Sequence, residues 1–311
     1  MPWRAAKYIL LQPLTLCTDR PKPAVDTRFL FTLPGVPRLS MSSFMGRLAR
    51  ARIPRRMRPS LWTFVAKRLG IDTATVPGDL TDYPCFLSLF TRPLKPDARP
   101  IRETTGWLSP ADGRLVAHST VTAEGSWVIK GTPYSTAELL PDSELQGLLG
   151  YQALQIYLSP KDYHRFHAPC DCQILRAVVE PGDLQPVDPS LTRRSMRVLV
   201  TNRRILLHCR TADGTPFALL YVGALNVGGM RFPFDPTLGQ GPWIRSSRTY
   251  DPPPILAAGD EMGRFEFGST VVLFAPPELR SLAELDGQTL ARTPLLATPQ
   301  GPETTRDTTS A

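Results

Sequence analysis

Proline punctuates this chain from end to end. There are 33 prolines among 311 residues, about twice the usual share of ~5%, and they are spread out instead of gathered in one tract. Each fixes φ, removes a backbone donor and biases the residue before it away from helix. Long helices are therefore excluded over most of the sequence, and the expected building blocks are short strands, turns and brief helices. Hydrophobic residues at 42% and charged residues at 21% are ordinary for a folded chain, and the length suffices for one large or two small cores. No apolar run reaches the ~18 residues that a membrane-crossing helix needs. The early stretch Tyr8 to Leu16 is broken by Gln12 and Pro13, and no small-residue cleavage site follows it. Five cysteines, an odd number, point to reduced thiols and a cytoplasmic setting instead of a disulfide framework.

The net charge of +8 is unevenly placed. Residues 1–70 hold 14 Lys or Arg against Asp19 and Asp26, a surplus of 12, which leaves −4 for the remainder. Residues 1–38 have no clear period and read as an irregular segment. Residues 39–100 read as a basic, amphipathic helical region that faces a membrane. Phe44, Met45 and Leu48 share one helical face, and Leu61, Phe64, Val65 and Leu69 share another, with Ser60 as N-cap and Gly70 as the stop. Arginines around these stripes, together with Trp62, suit an anionic bilayer, where each basic residue contributes ~1 kcal/mol. A solvated basic face packed on the domain fits the same pattern.

Residues 101–284 change to short strands separated by turn signals. Strands are expected at 107–109, 114–117, 127–130, 154–158, 174–179, 196–200, 205–209, 217–222 and 271–274, with Asp-Gly turns at 112–113 and 213–214. Ser135 and Glu138 have capping-box spacing for a short helix at 136–140. Neither a solenoid repeat nor βαβ alternation is present. The fold class is therefore α+β: a β-rich, sandwich- or barrel-like core of mainly antiparallel strands with N-terminal amphipathic helices. Residues 285–311 lose apolar periodicity and are expected to form a disordered tail.

Three separated segments carry chemistry: Leu108-Ser-Pro-Ala-Asp-Gly113, Asp162-Tyr-His-Arg-Phe-His-Ala-Pro169 and Glu261-Met-Gly-Arg-Phe-Glu-Phe-Gly-Ser-Thr270. Taken singly, each has an ordinary explanation. Asp112 suits a turn. His164 and His167 suit a short helical turn before Pro169; their spacing also permits a shared ion, but no third ligand is specified and no metal is expected. Ser269 suits a break between two strands.

The combination and its order resemble the phosphatidylserine decarboxylase family. The likeness runs from Leu39 to Pro276 and includes Leu89-Phe-Thr-Arg-Pro-Leu-Lys-Pro-Asp-Ala-Arg-Pro-Ile101, Ser109-Pro-Ala-Asp-Gly113, Ile129-Lys-Gly-Thr-Pro-Tyr-Ser135, Tyr163-His-Arg-Phe-His167, Val222-Gly-Ala-Leu-Asn-Val-Gly228 and Met262-Gly-Arg-Phe265 leading into Gly268-Ser-Thr270. The resemblance implies a carboxy-lyase that cleaves itself between Gly268 and Ser269. Ser269 attacks the Gly268 carbonyl, His167 is the implied base and Asp112 its support, the logic of a Ser-His-Asp relay. Ser269 then becomes a covalent pyruvoyl cofactor, which forms a Schiff base with phosphatidylserine and accepts electrons as CO₂ leaves, yielding phosphatidylethanolamine. His164 is the implied residue for headgroup positioning or proton delivery, with Tyr163 and Arg165 as neighbours that either assist or merely pack.

The implied partners are phosphatidylserine in an anionic membrane, the two chains 1–268 and 269–311, and a second copy in a homodimer, with peripheral attachment on the cytoplasmic side of the cell membrane. Phe267, Cys172 and Arg203 depart from the family's usual Leu, Gly and acidic residue. Cys170 and Cys172 read as inert thiols, and His118 and His208 carry no assigned role. A serine hydrolase would use the same three residues but lacks a Gly-x-Ser-x-Gly elbow. A nucleic-acid-binding module would use the basic segment without needing Ser269; no nucleic-acid partner is expected.

Overall fold

The computed structural model describes residues 38–101, 106–122, 126–129, 132–139, 146–188, 197–225, 229–266 and 269–298. The segment expected to be irregular lies outside these residues apart from Arg38, as do Phe267 and Gly268. An N-terminal layer of short helices, α1 (Arg38–Ala49), α2 (Arg58–Leu69) and α3 (Phe86–Phe90), precedes the strands. The strands begin with β1 (Trp107–Leu108), β2 (Gly113–Thr120), β3 (Ser126–Ile129) and β4 (Thr132–Ser135). After α4 (Thr136–Leu139) come β5 (Gln152–Leu158), β6 (Arg165–His167) and β7 (Cys172–Glu180). After α5 (Val198–Thr201) come β8 (Arg204–Thr211), β9 (Pro216–Gly223), β10 (Met230–Arg231), β11 (Ser246–Thr249), β12 (Ile255–Leu256) and β13 (Glu261–Phe265). The last are β14 (Ser269–Ala275), β15 (Arg280–Ser281), β16 (Gln288–Thr289) and β17 (Pro294–Ala297).

A nine-stranded sheet dominates, in the order β11-β7-β8-β9-β14-β5-β2-β16 with β12 also on β7, and its paired strands are antiparallel. Its centre is apolar on both faces. Along β14, Val271, Leu273 and Ala275 enter one core cluster, while Val272 and Phe274 enter the other, as the two-residue period of a strand requires. A smaller sheet, β10-β13-β6, lies against the first cluster. Phe166 of β6 packs there on Tyr221 at 4.2 Å and on Phe265 at 4.9 Å between ring centres. Truncating a ring so placed costs about 3–5 kcal/mol, so this aromatic anchor fixes the strand that carries the histidine pair.

The helical layer differs from expectation in detail. α2 starts at Arg58 with Pro59 in its first turn, not at a Ser60 cap; proline is pre-set for that position and lacks the donor that would go unpaired. Gly70 does end it, at φ 79°, with its N–H on the Ala66 carbonyl at 2.8 Å. The buried face of α2 holds Trp62 and Ala66, whereas Phe64 is 66% exposed. Trp62 is therefore withdrawn from any membrane face, because its indole N–H finds the Tyr83 carbonyl at 2.8 Å and its ring supplies the larger apolar area. α1 turns the small residues Ser42, Gly46 and Ala49 inward and leaves Phe44 and Leu48 about 60% exposed.

Two further expectations are corrected. Of the strand expected at 196–200, residues 198–200 lie in the short helix α5 and Met196 lies outside the described residues. The tail expected from 285 is ordered to residue 298: β16 pairs with β2, β17 pairs with β1 and β15, and Leu295 and Leu296 are buried. Strands of two to four residues take their position from the partners they meet and leave too short a pattern to read. The capping box at Ser135 and Glu138 forms as expected, with reciprocal hydrogen bonds at 3.0 and 3.2 Å.

Candidate active site

Sheet pairing brings two of the three chemical segments side by side. β6 pairs with β13, Glu261 opposite His167 and Arg264 opposite Arg165, and the Phe265 N–H reaches the His164 carbonyl at 2.9 Å. The histidines thus stand on and beside a strand, not on the helical turn considered from sequence. Alternation along β6 sends Phe166 into the core and His167 to the opposite side. The third segment joins through the His167 N–H, which donates to the Pro110 carbonyl at 2.8 Å.

Ser269 opens β14, between Leu158 of β5 and Gly223 of β9. It is wholly buried, and its Oγ has no hydrogen-bond partner among the described residues. His164 is equally buried. Its Nδ1 faces the Asp162 carbonyl at 2.9 Å, so Nδ1 carries the proton and Nε2 the lone pair; that Nε2 is also without a partner among the described residues. Burial pushes the ring's pKa down from 6.5 to about 3, outweighing the hydrogen bond to Asp162, and the ring lies 4.1 Å from that of Phe90. An unmade hydrogen bond on a buried polar atom costs about 1–3 kcal/mol. Leaving a hydroxyl and an imidazole nitrogen bare in this way marks a reactive site better than a packing site.

His167 is oriented from both ends. Its Nδ1 donates to the Gly259 carbonyl at 2.9 Å, and its Nε2 accepts from the Tyr163 hydroxyl at 3.1 Å. Burial lowers its pKa, opposed by the bond to Gly259 and by the charges of Glu261 and, more weakly, Asp112. Burial pushes the Tyr163 phenol upward, so it stays a donor. Among the described residues Asp112 makes no hydrogen bond to His167, although its charge favours the protonated ring. Asp112 instead faces Arg99, with Nη2 at 2.8 Å and Nε at 3.3 Å, and accepts the Ala291 N–H at 2.7 Å. A forked guanidinium matches a carboxylate better than a single imidazole N–H does, and this leaves Asp112 to act on the ring through space.

Arg99, Tyr163 and Ala291 are the parts sequence reasoning undervalued. Tyr163 adjoins the histidine pair, and Arg99 lies in a quoted motif, but its partner is 13 residues away and no spacing rule links the two. Ala291 fell in the presumed tail. Of the remaining candidates, Cys172 is buried and burial raises the Cys170 pKa, consistent with inert thiols. Arg203 lies 5.0 Å above the Trp243 ring, and His118 pairs with Gln152 at 2.9 Å. Gly268, and with it the bond expected to break, lies outside the described residues.

Comparison with known proteins points to one family. The family model described as phosphatidylserine decarboxylase matches residues 86–291, about two thirds of the chain. A phosphatidylserine decarboxylase proenzyme of Helicobacter pylori (strain ATCC 700392 / 26695) is 34% identical over 238 residues, covering 76% of this chain and 88% of the relative. The proenzyme of Campylobacter jejuni is 40% identical over 203 residues, covering 62% and 74%, and that of Variovorax paradoxus 32% over 265 residues, covering 82% and 89%. By this family match and these identities, the chain belongs to the phosphatidylserine decarboxylase family, a family of carboxy-lyases.

Proposed function

We propose that this chain is a proenzyme that cuts itself between Gly268 and Ser269 and then converts phosphatidylserine to phosphatidylethanolamine. The observation that carries this reading is the bare, wholly buried Ser269 Oγ at the first residue of a central strand. Hydroxyl attack on the Gly268 carbonyl carbon needs a base. His167 Nε2 holds the lone pair for that proton once the Tyr163 hydroxyl turns aside, and the Asp112 charge favours the resulting imidazolium. The amide nitrogen leaves as the ester forms and takes up a proton; β-elimination then releases the chain ending at Gly268 as a carboxylate and leaves dehydroalanine at position 269, whose imine tautomer water hydrolyses to the keto group with loss of ammonia.

The residues fit a pyruvoyl group derived from Ser269: it would replace an unpartnered hydroxyl in a dry setting where the neutral His164 also has a bare nitrogen. Such a group supplies an electron sink for the pair left behind when CO₂ departs. His164 Nε2, with its lone pair free, accepts a hydrogen bond from the headgroup amine and so orients it. Burial of the surrounding strands excludes water. The fragment 269–311 stays in place after cleavage, because all seven residues of β14 are buried and paired to β5, six of them also to β9.

Delivery of the lipid falls to the helical layer. α1 packs by its small residues and presents Phe44, Met45 and Leu48 outward, and Arg47, Arg52, Arg55 and Arg56 lie on or just after it, all exposed. An apolar face rimmed by arginine suits the surface of an anionic leaflet. The deciding experiment is intact-mass analysis of active protein. Two chains are expected, the smaller beginning at position 269 with a blocked, carbonyl-reactive terminus, and Ser269→Ala should yield one inactive chain. An active, unbroken polypeptide refutes the proposal.

A further inference from the structure

The outer face of the small sheet bears a row of arginines that folding alone does not favour. Arg231 of β10 stands opposite Arg264 of β13, and Arg264 opposite Arg165 of β6. Their neighbours Met230, Phe265 and Phe166 point into the core and are buried, so the three guanidinium groups share the other face. Like charges directly opposed across strands are destabilising. Arg50, the residue just after α1, reaches the same face through its ion pair with Glu266.

Four arginines here meet two carboxylates. Glu266 bonds both Arg50 and Arg231, and Glu261 bonds Arg165 at 2.7 Å. Glu266 is itself buried, tucked against Gly229, where a Cβ would come within 2.5 Å of its carboxylate oxygen. Arg264 has no acceptor among the described residues, and Arg50 and Arg231 keep 45% and 40% of their side chains exposed. A surplus of positive charge is thus held in place, with open donors, on the stretch that leads into Ser269.

We propose that Arg264, flanked by Arg231 and Arg50, is the subsite for the phosphodiester of the lipid headgroup. The inference rests on the decarboxylase reading and adds to it the chemistry that recognises the substrate. In phosphatidylserine the amine and the phosphodiester are separated by two carbons and one oxygen, so their binding groups must be near neighbours. Arg264 is five residues from Ser269, at most about 18 Å of extended chain. Guanidinium donors match phosphate oxygens in pairs. The site also lies beside α1, the element proposed to meet the leaflet.

The test titrates purified full-length protein with dihexanoylphosphatidylglycerol below its micelle concentration, and separately with inorganic phosphate, by calorimetry. Arg264→Gln should weaken both about tenfold, as loss of one charge-assisted hydrogen bond predicts. It should raise KM for dihexanoylphosphatidylserine by the same factor with little change in kcat, and Arg264→Lys should restore part of the loss. Processing at position 269 and the melting temperature should not fall, since one of three opposed cations is removed. Unchanged affinity for both ligands in Arg264→Gln overturns the subsite. So does a lowered melting temperature with no rescue by lysine, which is the mark of a structural role. Wild-type protein that binds the phosphodiester but releases no CO₂ refutes the decarboxylase reading and leaves the subsite standing.

Discussion

Acidification should destabilise this protein through His164 well before its carboxylates titrate. The folded state holds that ring neutral, with its pKa lowered from 6.5 to about 3 by complete burial. The unfolded chain takes up a proton near 6.5 and the folded chain does not, so the contribution to stability is intact above that value. It is lost as pH falls from there toward 3, at about 1.4 kcal/mol per pH unit. Between pH 7 and 5 the loss from His164 amounts to about 2 kcal/mol. His167, also buried with a lowered pKa, adds to it with the same sign. The assay is urea unfolding of the uncleavable Ser269→Ala protein at pH 7, 6 and 5, beside the double variant that also carries His164→Phe. Phenylalanine keeps the contact with Phe90 but cannot titrate, so the pH dependence should shrink by about 2 kcal/mol over that range. An identical slope in the two proteins refutes a neutral, buried His164, and with it the role of Nε2 as a bare acceptor.

Three further outcomes are expected. Arg99→Gln leaves the buried Asp112 carboxylate short of its forked partner and should cost about 3 kcal/mol in urea unfolding while slowing self-cleavage on a denaturing gel. Tyr163→Phe removes a hydrogen bond that favours neutral His167, so the pH midpoint of self-cleavage should move upward in a processing time course. Replacing both Phe44 and Leu48 with Glu should lower flotation with anionic vesicles at least tenfold while leaving the melting temperature within a few degrees, because neither side chain is buried.

Much of the fold class was legible because apolar runs and turn residues are local signals. β9 and β14 announce themselves as apolar runs and β5 as an apolar stretch interrupted by Gln155, and Gly70 and the Ser135–Glu138 box mark helix ends by the geometry that only such residues favour. Legibility failed where the deciding partner was distant. Trp62 looked like part of a membrane face until the Tyr83 carbonyl supplied its hydrogen bond. The 285–298 segment looked structureless because its strands are too short to show a period, although Leu295 and Leu296 are buried.

For the site the division is the same. The residues Asp112, His164, His167 and Ser269 were determined by the chain itself, since a nucleophile, two imidazoles and a carboxylate in these motifs are a matter of order and identity. Their states were decided only by the tertiary structure: Asp112 turned to Arg99, His167 held between Gly259 and Tyr163, His164 made neutral, the Ser269 hydroxyl left without a partner among the described residues. A side chain's charge and hydrogen bonds depend on what surrounds it in space, and residues 13 to 179 positions apart along the chain set them for Asp112.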